Sequence, residues 1–252
     1  MMRRVTWIVV AVVLVLAAGA GAAWGPAFRA GFEANRACCQ IPGPRNAWVT
    51  LQEALGVAEF PSEIGQDKWV LETIFPGVTD GYFVDVGSGD GTYGSNSKAL
   101  EARGWQGVCV DPFPTRMRDR TCQMFKDVVF RETGQKVQFR TAGGLGGVDD
   151  TLGAWNERAA RAPAVEFTTV SMSDLLQRAK APSFIHFISM DIEGAELEAL
   201  RGFPFDRVRV GSWAIEHNRE EPKRSDIKAL LEQHGYQRVH TYKQDDFYAA
   251  AR

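Results

Sequence analysis

Gly81-Tyr-Phe-Val-Asp-Val-Gly-Ser-Gly-Asp-Gly-Thr-Tyr-Gly94 is the stretch on which the reading of the fold turns. The apolar run Tyr82 to Val86 is of β type and stops at three alternate glycines, Gly87, Gly89 and Gly91. A helical pattern starts near Tyr93. Alternate glycines let the backbone turn sharply and let a ligand approach without a Cβ in the way. Strand, glycine turn and helix start in that order form a cradle for a nucleotide-type ligand, because a helix start offers free N–H groups. A tight structural turn is the plainer alternative.

Outward from the cradle, the spacing is G-x-G-x-G, not the G-x-G-x-x-G of dinucleotide enzymes, since Thr92 stands where that fingerprint needs its last glycine. That favours S-adenosylmethionine over NAD. Ser95 to Arg103 reads as helix, closed by Gly104. Gly107 to Val110 is a second strand ending at Asp111, 20 residues after Gly91, where an acid can accept both hydroxyls of a ribose; capping the element after Pro112 is the alternative. Arg116 to Phe125 reads as helix, with Cys109 and Cys122 as buried thiols. Val128 to Phe130 and Val137 to Phe139 read as short strands, and Gly143 to Gly147 as a surface loop or a lid.

Phe184 to Met190 is a continuous apolar strand meeting the acids Asp191 and Glu193 at its C-terminal edge. Ligands of open α/β sheets bind outside such edges, so both acids should face the crevice of Gly87 and Gly89. Glu196 begins a helix, and His186 reads as a satisfied core histidine. Val208 to Glu216 repeats the scheme, with His217 and Asn218 at its edge. Asp226 to His234 is a helix, and Tyr236 to Tyr242 with Phe247 to Ala250 closes the chain as a hairpin. Alternating helices and strands ending in an antiparallel pair predict a doubly wound α/β sheet with one antiparallel strand.

The chain has 252 residues, 45% hydrophobic and 24% charged, enough for one full core plus an appendage. A formal charge of −2 and the lack of a basic stripe argue against a nucleic-acid partner. Four cysteines are too few for a disulfide scaffold of this length, and no His/Cys group has metal spacing.

No charged residue lies between Arg4 and Arg29. Residues 1–28 therefore read as a transmembrane anchor, with Trp7 and Trp24, 17 residues apart, near the two interfaces. A cleaved signal peptide, cut after Ala18-Gly-Ala20 or Ala20-Gly-Ala22, is the competing reading. Residues 29–60 form a linker with a short helix, and 61–252 the globular domain. Arg3 and Arg4 ahead of the helix are nearly balanced by Arg29 and Arg36 after it. A short tail with two arginines is usually held in the cytoplasm, so the domain is expected on the non-cytoplasmic, periplasmic side of the cell membrane. That side conflicts with a methyl donor made in the cytoplasm.

From Ser62 to Ala250 the sequence resembles the FkbM family of S-adenosylmethionine-dependent methyltransferases. The resemblance rests on Gly65–Trp69, Phe83–Gly91, Gly94–Ser97, Asp191–Glu196, Glu216–Asn218 and Asp245–Tyr248, six motifs in order. It implies a class I methyltransferase fold with a Rossmann-like sheet, S-adenosylmethionine as cofactor, and O-methylation of a hydroxyl on a glycan or natural product. By that match Asp85, Gly87, Gly89 and Asn96 would cradle the methionine part. Asp111 would hold the ribose, although the family more often has Glu there, and Asp191 and Glu193 would line the transfer site. The chain departs from the pattern in a longer Gly143–Gly147 region and in His186 for a common Asp.

Methyl transfer needs chiefly proximity and in-line geometry, with a general base for an alcohol. Glu193 and His217 are the candidate catalytic bases, Glu216 an orienting partner; a structural role for His217 stays open. No metal is expected. The leading expectation is a membrane-anchored O-methyltransferase. The other is a non-catalytic subunit that braces a membrane protein complex through its helix, since small residues at Ala17 to Ala23 allow close helix packing.

Overall fold

The computed structural model describes residues 59–153, 156–159 and 161–251. The expected membrane anchor, the linker up to residue 58 and its short helix lie outside the described residues. Among the described residues no helix is long and apolar enough to cross a membrane.

A first helix, α1 (Gln66–Trp69), continues as a π-helical turn over Val70–Ile74. Then come β1 (Tyr82–Val86), α2 (Lys98–Ala102), β2 (Gln106–Val110) and β3 (Gln123–Phe125). Next are β4 (Val128–Phe130), β5 (Lys136–Arg140), α3 (Asn156–Ala159), β6 (Ala164–Ser171) and α4 (Met172–Arg178). The chain closes with β7 (Phe184–Met190), α5 (Glu196–Arg201), β8 (Arg209–Glu216), α6 (Lys223–Gln233), β9 (Tyr236–Tyr242) and β10 (Asp245–Ala250).

Seven strands form one sheet in the order β3-β2-β1-β7-β8-β10-β9. β1 runs parallel to β2 and β7, β7 to β8, and β2 to β3. Only β10 is reversed, antiparallel to both β8 and β9. The fold is thus mixed α/β with a mostly parallel sheet. Alternate strand residues feed two cores. Val84, Val108, Ile188 and Trp213 pack with residues of α4, α5 and α6 on one face. Phe83, Cys109, Phe187 and Ala214 pack with Val70, Leu71, Ala99 and Leu100 on the other. Burial of both faces explains why these strands read as unbroken apolar runs. A smaller sheet, β4-β6-β5, stands apart.

The structure corrects the sequence in several places. Residues 116–125 are not a helix. Arg116 has a left-handed φ of 43°, one 3-10 turn spans Met117–Asp119, and β3 follows. Cys122 is not a free thiol but is disulfide-bonded to Cys109. The helix after the glycine turn begins at Lys98, not near Tyr93. Ser97 ahead of it turns inward to donate a hydrogen bond to Asp85. β6 (eight residues) and its pairing with β5 went unread, although Val165, Phe167 and Thr169 alternate there. The closing hairpin stands as expected.

Candidate active site

The C-terminal edges of β1, β2, β7 and β8 open onto a crevice of about 670 Å³, within the range of small-molecule sites. Gly87 (φ +89°) has no room for a side chain: a Cβ would lie 1.7 Å from the Asp191 carbonyl oxygen. The close approach lets the Asp191 N–H donate to Val86 O at 2.9 Å, bringing the ends of β1 and β7 together. Gly89 (φ +50°) is different. Its added Cβ would meet nothing nearer than 3.9 Å, so this side of the turn is open.

The amides of Gly87, Ser88, Gly89 and Gly91 are spent within the protein. Gly87 and Ser88 N–H both donate to Val110 O, and Gly89 N–H to Asp111 Oδ2 at 2.9 Å. Asp111 Oδ1 accepts from Phe113 N–H at 2.7 Å. Asp111 therefore braces the turn while lining the crevice, and burial raises its carboxyl pKa. The free helix amides expected beside the glycines are not there, because α2 starts at Lys98.

Two of the residues expected to cradle the ligand lie behind the turn. Asp85 is buried, accepts from Ser97 Oγ, and does not line the crevice. Burial raises its pKa, against the pull of Arg120. Asn96 donates to Ser189 Oγ at 2.8 Å, and its Oδ1 is buried without a partner, as is Ser88 Oγ within the turn.

At the far side of the crevice three carboxylates meet. Asp191 follows β7, Glu216 ends β8, and Glu193 sits between them in a left-handed conformation (φ 53°). One oxygen from each lies within 4.8 Å of the others, a grouping that could hold a hard cation. The sequence offered no such signal, because the three come from two strand ends. Asn218 Nδ2 spans two of them, donating to Glu216 Oε2 at 2.9 Å and Glu193 Oε2 at 3.3 Å. Burial raises all three pKa values: Asp191 to about 6, held back by its hydrogen bond with Glu216, and Glu193 to about 8 and Glu216 to about 12, both pushed further by repulsion from neighbouring acids. At neutral pH Glu216 holds its proton and donates it to Asp191.

His217 is not part of this group. Its ring is 2% exposed, its Nδ1 accepts from Arg219 N–H at 2.9 Å, and its Nε2 lies 3.7 Å from Asp246 Oδ1, beyond hydrogen-bond range. It does not line the crevice, so the expectation of His217 as a base is corrected. The reason is the strand period of two: Glu216 shares a face with Ala214, and His217 falls to the opposite one. His186 is half-buried rather than fully in the core, packed against Phe75, Trp105 and Phe184, and it is satisfied as expected, its Nδ1 accepting from Tyr82 N–H at 3.1 Å.

Sequence reading missed the crevice's other end. Val128, Val129, Phe113 and Phe139 form an apolar wall there, with Phe113, Phe139 and Phe167 ring centroids 5.6–5.8 Å apart. Gly143, Gly144 and Gly146 also border the crevice, so the glycine-rich segment is not merely surface loop. Every charged residue along the lining is acidic, Glu63, Asp90 and Asp127 included.

The Methyltransferase FkbM domain family matches residues 85–238, more than half of the chain. No curated protein matches. Among solved structures a similar one is PH1948 from Pyrococcus horikoshii, a candidate RNA methyltransferase. It is 12% identical, covers 81% of each chain, and has a TM-score of 0.36. A likeness so faint carries no weight. The family match, the glycine turn and the acid-lined crevice agree: this chain belongs to the FkbM methyltransferase family, which implies a methyl donor of the S-adenosylmethionine type.

Proposed function

We propose that the protein is a membrane-anchored, S-adenosylmethionine-dependent O-methyltransferase acting on a hydroxyl of a glycan or natural product. One observation carries this reading: a glycine turn open at Gly89 faces a buried carboxylate group across a single crevice. The residues present fit the donor. The open face at Gly89, the buried unpartnered Ser88 Oγ and the apolar wall by Phe113 and Val128 suit a nucleoside with a polar tail. Acidic walls suit a sulfonium and disfavour an anionic acceptor, which supports the expectation of no nucleic-acid partner.

Bound donor supplies an electrophilic methyl group. Glu193, with a pKa near 8, is the side chain matched to take the acceptor hydroxyl's proton at neutral pH. Asn218 holds its carboxylate in place, and Asp191 with Glu216 shares one proton beside it. Gly87 and Gly89 shape the turn and Asp111 keeps its ribose-facing side fixed. Asp85 and Asn96 support the turn from behind.

Titration of S-adenosylmethionine into the full-length protein in detergent should give a dissociation constant in the micromolar range. No heat at millimolar donor removes the enzymatic reading and leaves a non-catalytic subunit of a membrane complex, which no feature of the crevice favours. The Cys109–Cys122 bridge supports the non-cytoplasmic side, since disulfides persist in oxidising compartments. Donor synthesis in the cytoplasm opposes it, and a reporter fused to the C-terminus decides.

A further inference from the structure

We infer that Arg120 is a positioning residue for the glycine turn, held there by the Cys109–Cys122 bridge, so that donor affinity depends on the oxidation state of that bridge. This rests on the cradle reading above. The chain between β2 and β3 passes beneath the turn, and Arg120 reaches up from it with a side chain only 1% exposed. Its Nε donates to Glu101 Oε2 at 2.7 Å, its Nη1 to Gly91 O at 2.8 Å, and its Nη2 to Ser97 Oγ at 2.7 Å. Ser97 Oγ passes the contact on to Asp85, one residue from the end of β1. One planar fork thus grips the last glycine, the approach to α2 and the strand before the turn. A lysine point charge could not hold all three.

Glu101 completes the clamp. While Oε2 accepts from Arg120, Oε1 accepts from Cys122 N–H at 2.7 Å and Thr121 N–H at 3.2 Å. Cys122 is itself bonded to Cys109 in β2, the strand whose end, Val110 O and Asp111, receives the amides of Gly87, Ser88 and Gly89. Beyond the bridge, β3 pairs with β2 over only three residues at the sheet edge. So short an edge strand holds little by itself. A buried guanidinium is stable only while its partners stay in register.

Reduction by a dithiol breaks the single S–S bond. Two electrons and two protons pass to the sulfurs of Cys109 and Cys122, giving two thiols, and the dithiol closes into its own disulfide. Residues 111–122 then lose their covalent tie, Arg120 gains access to water, and the turn loses its brace.

Hydrogen exchange without ligand and calorimetric donor titration, on full-length protein before and after dithiothreitol, test this. Amides of residues 87–97 should exchange about tenfold faster after reduction, those of β7 and β8 should not change, and the donor should bind about tenfold more weakly. Arg120→Lys with the bridge intact should reproduce both effects. Equal exchange and equal affinity in the two oxidation states overturn the inference. So does uniform loosening of β7 and β8, because the bridge would then support the whole sheet. Absence of donor binding in the oxidised protein instead defeats the enzymatic reading, and the exchange data still decide the role of the bridge.

Discussion

Glu193 and His217 were indistinguishable as bases in the sequence, and their surroundings separate them. Glu193 lines the crevice with its proton affinity raised by burial; His217 is closed in beside Asp246, which Arg224 and Arg238 also contact at 2.8 and 3.0 Å. Glu193→Gln should therefore lower the methyl-transfer rate by about 10²–10³ while donor affinity stays within twofold. The same substitution should flatten a pH–rate profile that in the native protein climbs toward about pH 8, because only the deprotonated carboxylate accepts a proton. His217→Ala should leave the rate within about threefold but cost about 1–3 kcal/mol of stability, since the Arg219 amide loses its acceptor. Rate assays on both variants, with thermal melts alongside, check this pair; a larger rate loss for His217→Ala reverses the assignment.

At the scale of the element, the glycine turn carries two different requirements. Gly87 is fixed by a neighbouring backbone, and Gly89 by what must approach from outside. Gly87→Ala would drive a methyl group into the Asp191 carbonyl, and the β1–β7 junction must part to admit it. Destabilisation of about 3 kcal/mol or more is expected, read as a large drop in melting temperature. Gly89→Ala meets open space and carries only left-handed strain, about 1–2 kcal/mol. Its main effect should be on donor affinity, weakened tenfold or more in a calorimetric titration. Equal affinity in Gly89→Ala and native protein would show that no ligand passes that face.

For the whole molecule, acids stripped of solvent dominate the pH response. Asp67 and Asp191 are raised to about 6, Asp245 to about 7, Glu193 to about 8 and Glu216 to about 12, in each case chiefly by burial. A folded pKa above the unfolded value means the folded chain holds the extra proton, so the stability it adds is complete below about pH 4 and is lost as pH climbs through the folded value. Asp246 runs the other way, its carboxyl kept ionised against burial by His217, Arg224, Thr241 and Arg238 around it, but its window lies below its ordinary value of 3.8. Between pH 5.5 and 9 the melting temperature should fall by about 5 °C or more, opposite to the trend of a protein held by exposed ion pairs. A flat or rising curve over that range would mean that the carboxylate group is neutralised by something bound to it.

Local pattern determined a good deal by itself. The apolar runs that became β1, β2, β7 and β8, the glycine turn, the acids at the strand ends and the reversed closing hairpin were all legible, because two-sided burial and turn chemistry leave their marks in consecutive residues. Tertiary structure alone decided which of those acids meet. Asp191 and Glu216 lie 25 residues apart and come together only through the pairing of β7 with β8. It also joined Cys109 to Cys122, whose spacing resembles any other, and turned residues 116–125 from an expected helix into a brace beneath the turn. Contacts between distant segments are made by strand order and register, and single-segment periodicity carries no record of either.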